Sequence, residues 1–256
     1  MTVDHNGPSQ SVGVSVPSTD ENGVEPGEAN TTTTDPESRF ESEDHEKPMV
    51  IVVMGVAGTG KTTLARALNE ELGMPYVEGD DLHPPTNIAK MSEGIALTDA
   101  DREPWLHRVR NEAERVVHAQ FDDLTAHETT DEHRQREEEE EEKKKPRRKG
   151  VMITCSSLKR SYRSILRGQS PTSSEHPLAL PTYFVYIKED VPILRERIGK
   201  REGHFMKAGM LDSQLATLES PEGEEGVVVV PLDASTEVQA RKAREGLEAL
   251  VGPLVW

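Results

Sequence analysis

The sequence predicts an α/β fold, a mostly parallel sheet with helices on both faces. Three observations carry this expectation. Met49–Met54 (MVIVVM) is a continuous apolar run, the mark of a strand buried on both faces. A glycine-rich turn follows it, and then Leu64, Leu68 and Leu72 recur at helical spacing. Further short apolar runs alternate with helical patterns to the end of the chain, the order that builds parallel sheets.

Residues 1–47 are rich in Ser, Thr, Gly, Pro, Asp and Glu and lack apolar periodicity, so they read as a disordered acidic tail. Residues 48–256 form the folded domain. Its first helix spans 62–72 and stops at Gly73. Tyr76 and Val77 suit a second strand. Thr98 and Asp101 have capping-box spacing, and Trp105, Val109, Ala113 and Val116 continue as a helical stripe that assigns Trp105 to the core. The pattern breaks at about 121–149, where six glutamates at 137–142 run into Lys143, Lys144, Lys145 and Pro146. This low-complexity insertion reads as a solvated loop, with extension of the preceding helix through Glu-to-Lys pairs four apart as the alternative. A third strand at 151–155 leads to a helix at 156–166, and 168–181 is a second loop-like insertion. A fourth strand spans 183–187 and a helix 191–201. Gly203 and Gly209 flank an expected mobile segment, and a fifth strand at 227–232 and a closing helix at 236–250 complete the domain. Ligands of such sheets bind at the carboxyl ends of the strands.

Charge and composition narrow the function. The chain has 256 residues, 34% hydrophobic and 30% charged, with a net charge of −17. Residues 1–48 carry −9 and residues 120–149 carry −3, which leaves only −5 for the rest. Nothing in this balance favours nucleic acid or an anionic membrane. Cys155 is the one cysteine, so an internal disulfide is excluded, and no Cys/His cluster has zinc-finger spacing. It reads as a small core residue, with no partner base to make it a nucleophile. The first residues lack a basic and then apolar leader, and no apolar run approaches the ~20 residues that span a bilayer. The expected location is the cytoplasm.

The run Gly55, Val56, Ala57, Gly58, Thr59, Gly60, Lys61, Thr62 matches G-x-x-x-x-G-K-[ST] between a strand and a helix, the context the motif requires. Backbone N–H groups of such a loop converge on phosphates at the positive end of the following helix. Lys61 then faces the β- and γ-phosphates, and the Thr62 hydroxyl serves Mg²⁺. Thr63 extends the ATP-binding stretch. The motif alone does not separate kinase from ATPase or GTPase, although no N-K-x-D guanine-reading motif occurs.

After the second strand come Glu78, Gly79, Asp80, Asp81, Leu82 and His83. Phosphoryl transfer needs a carboxylate to orient the acceptor hydroxyl and take its proton, and others to hold Mg²⁺ through water. Arg102, Lys159, Arg160 and Arg163 follow near predicted strand ends. Individually each reads as a solvated charge, but together they point to an anionic acceptor.

The segments GVAGTGKTT, EGDDLHPPTNIAKMSEGIALTDADREPWL, CSSLKRSYR and GKREGHFMKAGMLDSQLATLE resemble the gluconokinases, P-loop small-molecule kinases related to shikimate kinase. The resemblance covers 49–119, 150–167 and 182–250. It implies a three-layer αβα P-loop kinase fold, with a five-stranded parallel sheet, the phosphate-loop strand central and a mobile lid. It also implies phosphorylation of D-gluconate on its 6-hydroxyl with ATP and Mg²⁺, feeding the pentose phosphate pathway, and a homodimer. Asp80 is implied as the base, with Lys61 and Arg201 also catalytic. His83, Arg102, Lys159, Arg163, His204 and Gln214 are implied as gluconate ligands, and Arg197 as a lid contact to ATP. Family members commonly carry aspartate where this chain has Glu78, the expected Mg²⁺ contact through water. The extra methylene leaves the charge in place and alters its reach.

Overall fold

The computed structural model describes residues 47–125, 149–169, 180–200 and 208–254. The expected tail, most of both insertions, Arg201 and His204 lie outside the described residues. Five strands, β1 (Met49–Met54), β2 (Tyr76–Glu78), β3 (Gly150–Thr154), β4 (Thr182–Lys188) and β5 (Val227–Pro231), form one parallel sheet in the order β2-β3-β1-β4-β5. The phosphate-loop strand is central, as expected. Every residue of β1 is buried, which is why its sequence is continuously apolar rather than alternating.

The helices are α1 (Lys61–Leu72), α2 (Pro85–Glu93), α3 (Asp99–Thr125), α4 (Arg160–Leu166), α5 (Val191–Gly199), α6 (Ala208–Thr217) and α7 (Thr236–Val251). The step from β1 to β2 runs one way across the sheet and the step from β2 to β3 runs back. Right-handed crossovers therefore put α1 and α3 on opposite faces. Leu64, Leu68 and Leu72 of α1 enter the core from one side, and Trp105, Leu106, Val109 and Ala113 of α3 from the other. The capping box forms at the start of α3. Asp101 Oδ2 accepts from the backbone N–H of Thr98 at 2.9 Å, and the Asp101 N–H donates to Thr98 Oγ1 at 3.3 Å.

Four elements differ from expectation. The helix after β3 begins only at Arg160, because Ser157 has φ 47°, a left-handed conformation no α-helix contains. The helix at 85–93 was not anticipated, although Pro85 at its start and the left-handed Gly94 at its end are paired helix signals. Helix α3 continues to Thr125, into the stretch expected to loop out. Gly209, expected to border a mobile segment, lies inside α6.

Gly79 sets the geometry that matters for function. A Cβ there would sit 2.0 Å from the Thr154 carbonyl oxygen, so only glycine lets the exit of β2 press against β3. Its own carbonyl accepts from Trp105 Nε1 at 2.8 Å, which ties the turn at Gly79–Leu82 to α3.

Candidate active site

The loop from Gly55 to Thr62 leaves the carboxyl end of β1 and opens α1. Gly58 and Gly60 have φ of 83° and 91°, which other residues adopt only with strain. Thr59 is buried and closes the loop on itself, its hydroxyl donating to the Val56 carbonyl at 2.8 Å. Lys61 Nζ donates to the same carbonyl at 3.3 Å. Beside the loop lies a cleft of about 440 Å³, lined on its polar side by Lys61, Thr62, Glu78, Asp80, His83 and Arg102. Leu97, Trp105, Ile198 and Met210 are among its apolar walls.

Two carboxylates in this cleft are driven apart in acidity. Burial alone would raise the Glu78 carboxyl. Hydroxyl donors outweigh that: Thr154 Oγ1 to Oε1, and Tyr76 at 2.6 Å and Thr62 at 2.8 Å to Oε2, with the Lys61 charge adding to them. The result is a carboxyl held below its ordinary value and ionised at neutral pH. Asp80, open to the cleft but walled by protein, goes the other way. Loss of water around it raises its carboxyl, Lys61 opposes this, and the Glu78 and Asp81 charges add to the rise. Such a divided pair marks a permanent anion and a proton acceptor.

The opposite wall is built from α2 and α3. His83 stacks on Trp105 with ring centroids 4.0 Å apart and planes 16° apart. Burial and then the Arg102 charge push its imidazole down to about 4, so the ring is neutral at physiological pH. Arg102 itself is only 7% exposed and faces the same cleft. Gln214 of α6 reaches the phosphate loop, where its Oε1 accepts from the Ala57 N–H at 2.7 Å.

Lys159 and Arg163 require correction. Neither lines the cleft. Lys159 Nζ holds both oxygens of Asp99 at 2.8 and 2.7 Å. Arg163 is fully buried: Nη1 donates to the Ser157 and Leu158 carbonyls at 2.8 and 3.3 Å, and Nη2 to Glu224 at 2.6 Å. It clamps the left-handed turn after β3 and so positions Ser156 in the cleft wall. Glu224 is held down at about 2 by Arg163 first, so its stabilising effect is present above about pH 4.5 and is lost as pH falls toward 2. Glu224→Ala strands a buried guanidinium and is expected to cost about 3 kcal/mol or more in urea unfolding at pH 7. Arg197 also lies off the cleft, its guanidinium donating to the Leu232 carbonyl at 3.3 Å.

Sequence reasoning missed Tyr76, Asn87 and Thr154, and gave Trp105 to the core alone. Asn87 gave no signal in the sequence, because its burial and its contact with His83 arise only in the fold. Among the described residues no group of three or more His, Cys, Asp or Glu could hold a metal ion. The oxygen donors Thr62 and Glu78 beside Lys61 nonetheless fit Mg²⁺, a hard cation that keeps several waters and takes nucleotide phosphates as ligands.

Comparison with known proteins agrees with this geometry. The family model described as AAA domain matches residues 51–225. A gluconokinase of Gluconobacter oxydans is 44% identical over 184 residues, covering 72% of this chain and 83% of that protein. A probable gluconokinase of Schizosaccharomyces pombe is 42% identical over 180 residues, covering 70% and 77%. Among solved structures, a gluconokinase from Sinorhizobium meliloti 1021 superposes with TM-score 0.59 at 38% identity, covering 80% of this chain and 94% of the other.

Proposed function

The chain belongs to the gluconokinase family, and from that premise we propose that it transfers the γ-phosphoryl group of ATP to the 6-hydroxyl of D-gluconate. The observation that carries this is the division of the cleft. The phosphate loop, Lys61, Thr62 and the ionised Glu78 form one side, and neutral His83 and cationic Arg102 form the other. Asp80 lines the same cleft, where the Lys61 and Glu78 charges act on it.

Each side chain then has a task. The loop N–H groups and Lys61 hold the phosphates and stabilise the charge that develops on the transferred group. The Ala57 N–H exchanges its bond to Gln214 for phosphate. Thr62 and Glu78 would hold Mg²⁺, Glu78 through water, and the ion would supply positive charge against the nucleotide phosphates. Tyr76 and Thr154 fix the Glu78 carboxylate, so the longer side chain still presents a defined geometry. Asp80 orients the acceptor hydroxyl and takes its proton. Arg102 faces the gluconate carboxylate, and His83 donates to an acceptor oxygen. The apolar walls exclude water, the competing acceptor. The cytoplasm is the compartment this chemistry implies, since ATP and sugar acids meet there.

The test is an acceptor screen with the purified chain, coupling ADP formation to added D-gluconate, shikimate or a nucleoside monophosphate. Gluconate-dependent ADP formation is expected, and ADP formed only with one of the other acceptors would refute the proposal.

A further inference from the structure

Asn87 is 1% exposed, and both of its side-chain hydrogen bonds come from one atom. Its Nδ2 donates to the Asp101 carbonyl at 2.8 Å and lies 3.3 Å from His83 Nδ1. A backbone carbonyl can only accept, so the atom facing Asp101 must be the amide nitrogen rather than its oxygen. Its second hydrogen is then left for His83, and Nδ1 must accept it. A neutral imidazole that accepts at Nδ1 carries its proton on Nε2, at the opposite edge of the ring. Stacking on Trp105, whose own Nε1–H is donated to Gly79, fixes the plane of the ring, and the contact with Asn87 distinguishes its two edges.

We infer that Asn87 is a positioning residue that locks His83 as its Nε2–H tautomer, so that the ring presents a hydrogen-bond donor to an oxygen of the acceptor. The chain of contacts reads outward from α3: the Asp101 carbonyl orients Asn87, Asn87 orients His83, and His83 reads the acceptor. The capping box at Thr98 and Asp101 anchors the first link. A donor at this place favours an acceptor rich in hydroxyl or carboxylate oxygens. The neutrality of the ring, set by burial and by Arg102, keeps that donor the same across physiological pH. The inferred contact with the acceptor rests on the gluconokinase reading, whereas the tautomer does not.

The first measurement needs no substitution. Long-range ¹H–¹⁵N NMR of the full chain, with the His83 signal assigned by its loss in His83→Gln, is expected to show the Nε2–H form; an Nδ1–H ring would overturn the inference. Asn87→Asp replaces the donor with an acceptor and is expected to move the proton to Nδ1 or to charge the ring. KM for gluconate then rises about tenfold, while KM for ATP stays within about twofold. The same variant brings His83 up from about 4 toward neutrality, so KM for gluconate gains a dependence on pH between about 5 and 8. The charged groups of the surrounding elements include Asp80 and Asp81 on the turn, Lys90 and Glu93 on α2, and Asp99, Asp101, Arg102 and Glu103 on α3, and of these the Arg102 charge acts on His83. Asn87→Leu adds no charge and controls for repulsion of an anionic acceptor; it is expected to raise KM for gluconate about threefold. A changed tautomer with an unmoved gluconate KM in both variants would overturn the acceptor contact. Failure of the gluconokinase reading itself appears separately, as no gluconate-dependent ADP in the unsubstituted chain.

Discussion

Lys61→Ala is expected to lower turnover with gluconate by at least about a hundredfold and to leave the fold intact. Removing one preorganised donor from a developing phosphoryl charge costs on the order of a hundred- to a thousandfold in comparable sites. Among the described residues Lys61 is also the only lysine lining the cleft, and its charge acts on both Glu78 and Asp80. Its one hydrogen bond, to the Val56 carbonyl at 3.3 Å, is long, and its side chain is half-buried. Little of the fold therefore depends on it. Steady-state kinetics and an unfolding curve measured on the same preparation check the two halves together. Turnover within tenfold of the unsubstituted chain would remove Lys61 from the chemistry.

Asp80→Asn is expected to cost about a hundred- to ten-thousandfold in kcat, with KM for ATP nearly unchanged. The amide keeps the size of the carboxylate and loses its negative charge and its capacity to take a proton. The pH profile separates this role from simple positioning. A base must be ionised to work, so kcat/KM falls as pH drops through the carboxyl's pKa, which for Asp80 lies above the ordinary aspartate value. Glu78 titrates below the ordinary value, so its effect lies further toward acid. The residual activity of Asp80→Asn should therefore lack the upper of the two acid limbs. A profile that keeps that limb would show that another group is the base.

What the sequence made legible follows from how local each contact is. The phosphate loop is eight consecutive residues between a buried strand and a helix, so its role needs no tertiary information. Asp80 was accessible for the same reason, two residues past the end of β2. Arg163 was misread because a basic residue just past a strand end looks the same whether it meets a ligand or a carboxylate. Its partner Glu224 is 61 residues away and enters only when the loop before β5 folds back. Lys159 fails likewise, through Asp99 across 60 residues. The apolar face of Trp105 was visible in its helical spacing, but its stacking on His83 and its bond to Gly79 depend on how α3 docks against the turn. The opposed shifts of Glu78 and Asp80 were hidden too, since the first arises from three hydroxyls gathered from β2, α1 and β3 and the second from burial in the folded cleft. The identity of the acceptor came from the family resemblance, which charge and spacing alone do not supply.

The central claim is that one cleft places the γ-phosphoryl group against the terminal hydroxyl of a sugar acid. It is tested most directly by supplying ATP and ¹³C-labelled D-gluconate to the full chain and locating the phosphoryl group by ³¹P and ¹³C NMR. The expected result is phosphorus coupled to C6 with stoichiometric ADP. Phosphorus on any other carbon, or free phosphate in place of a phosphorylated product, would contradict it.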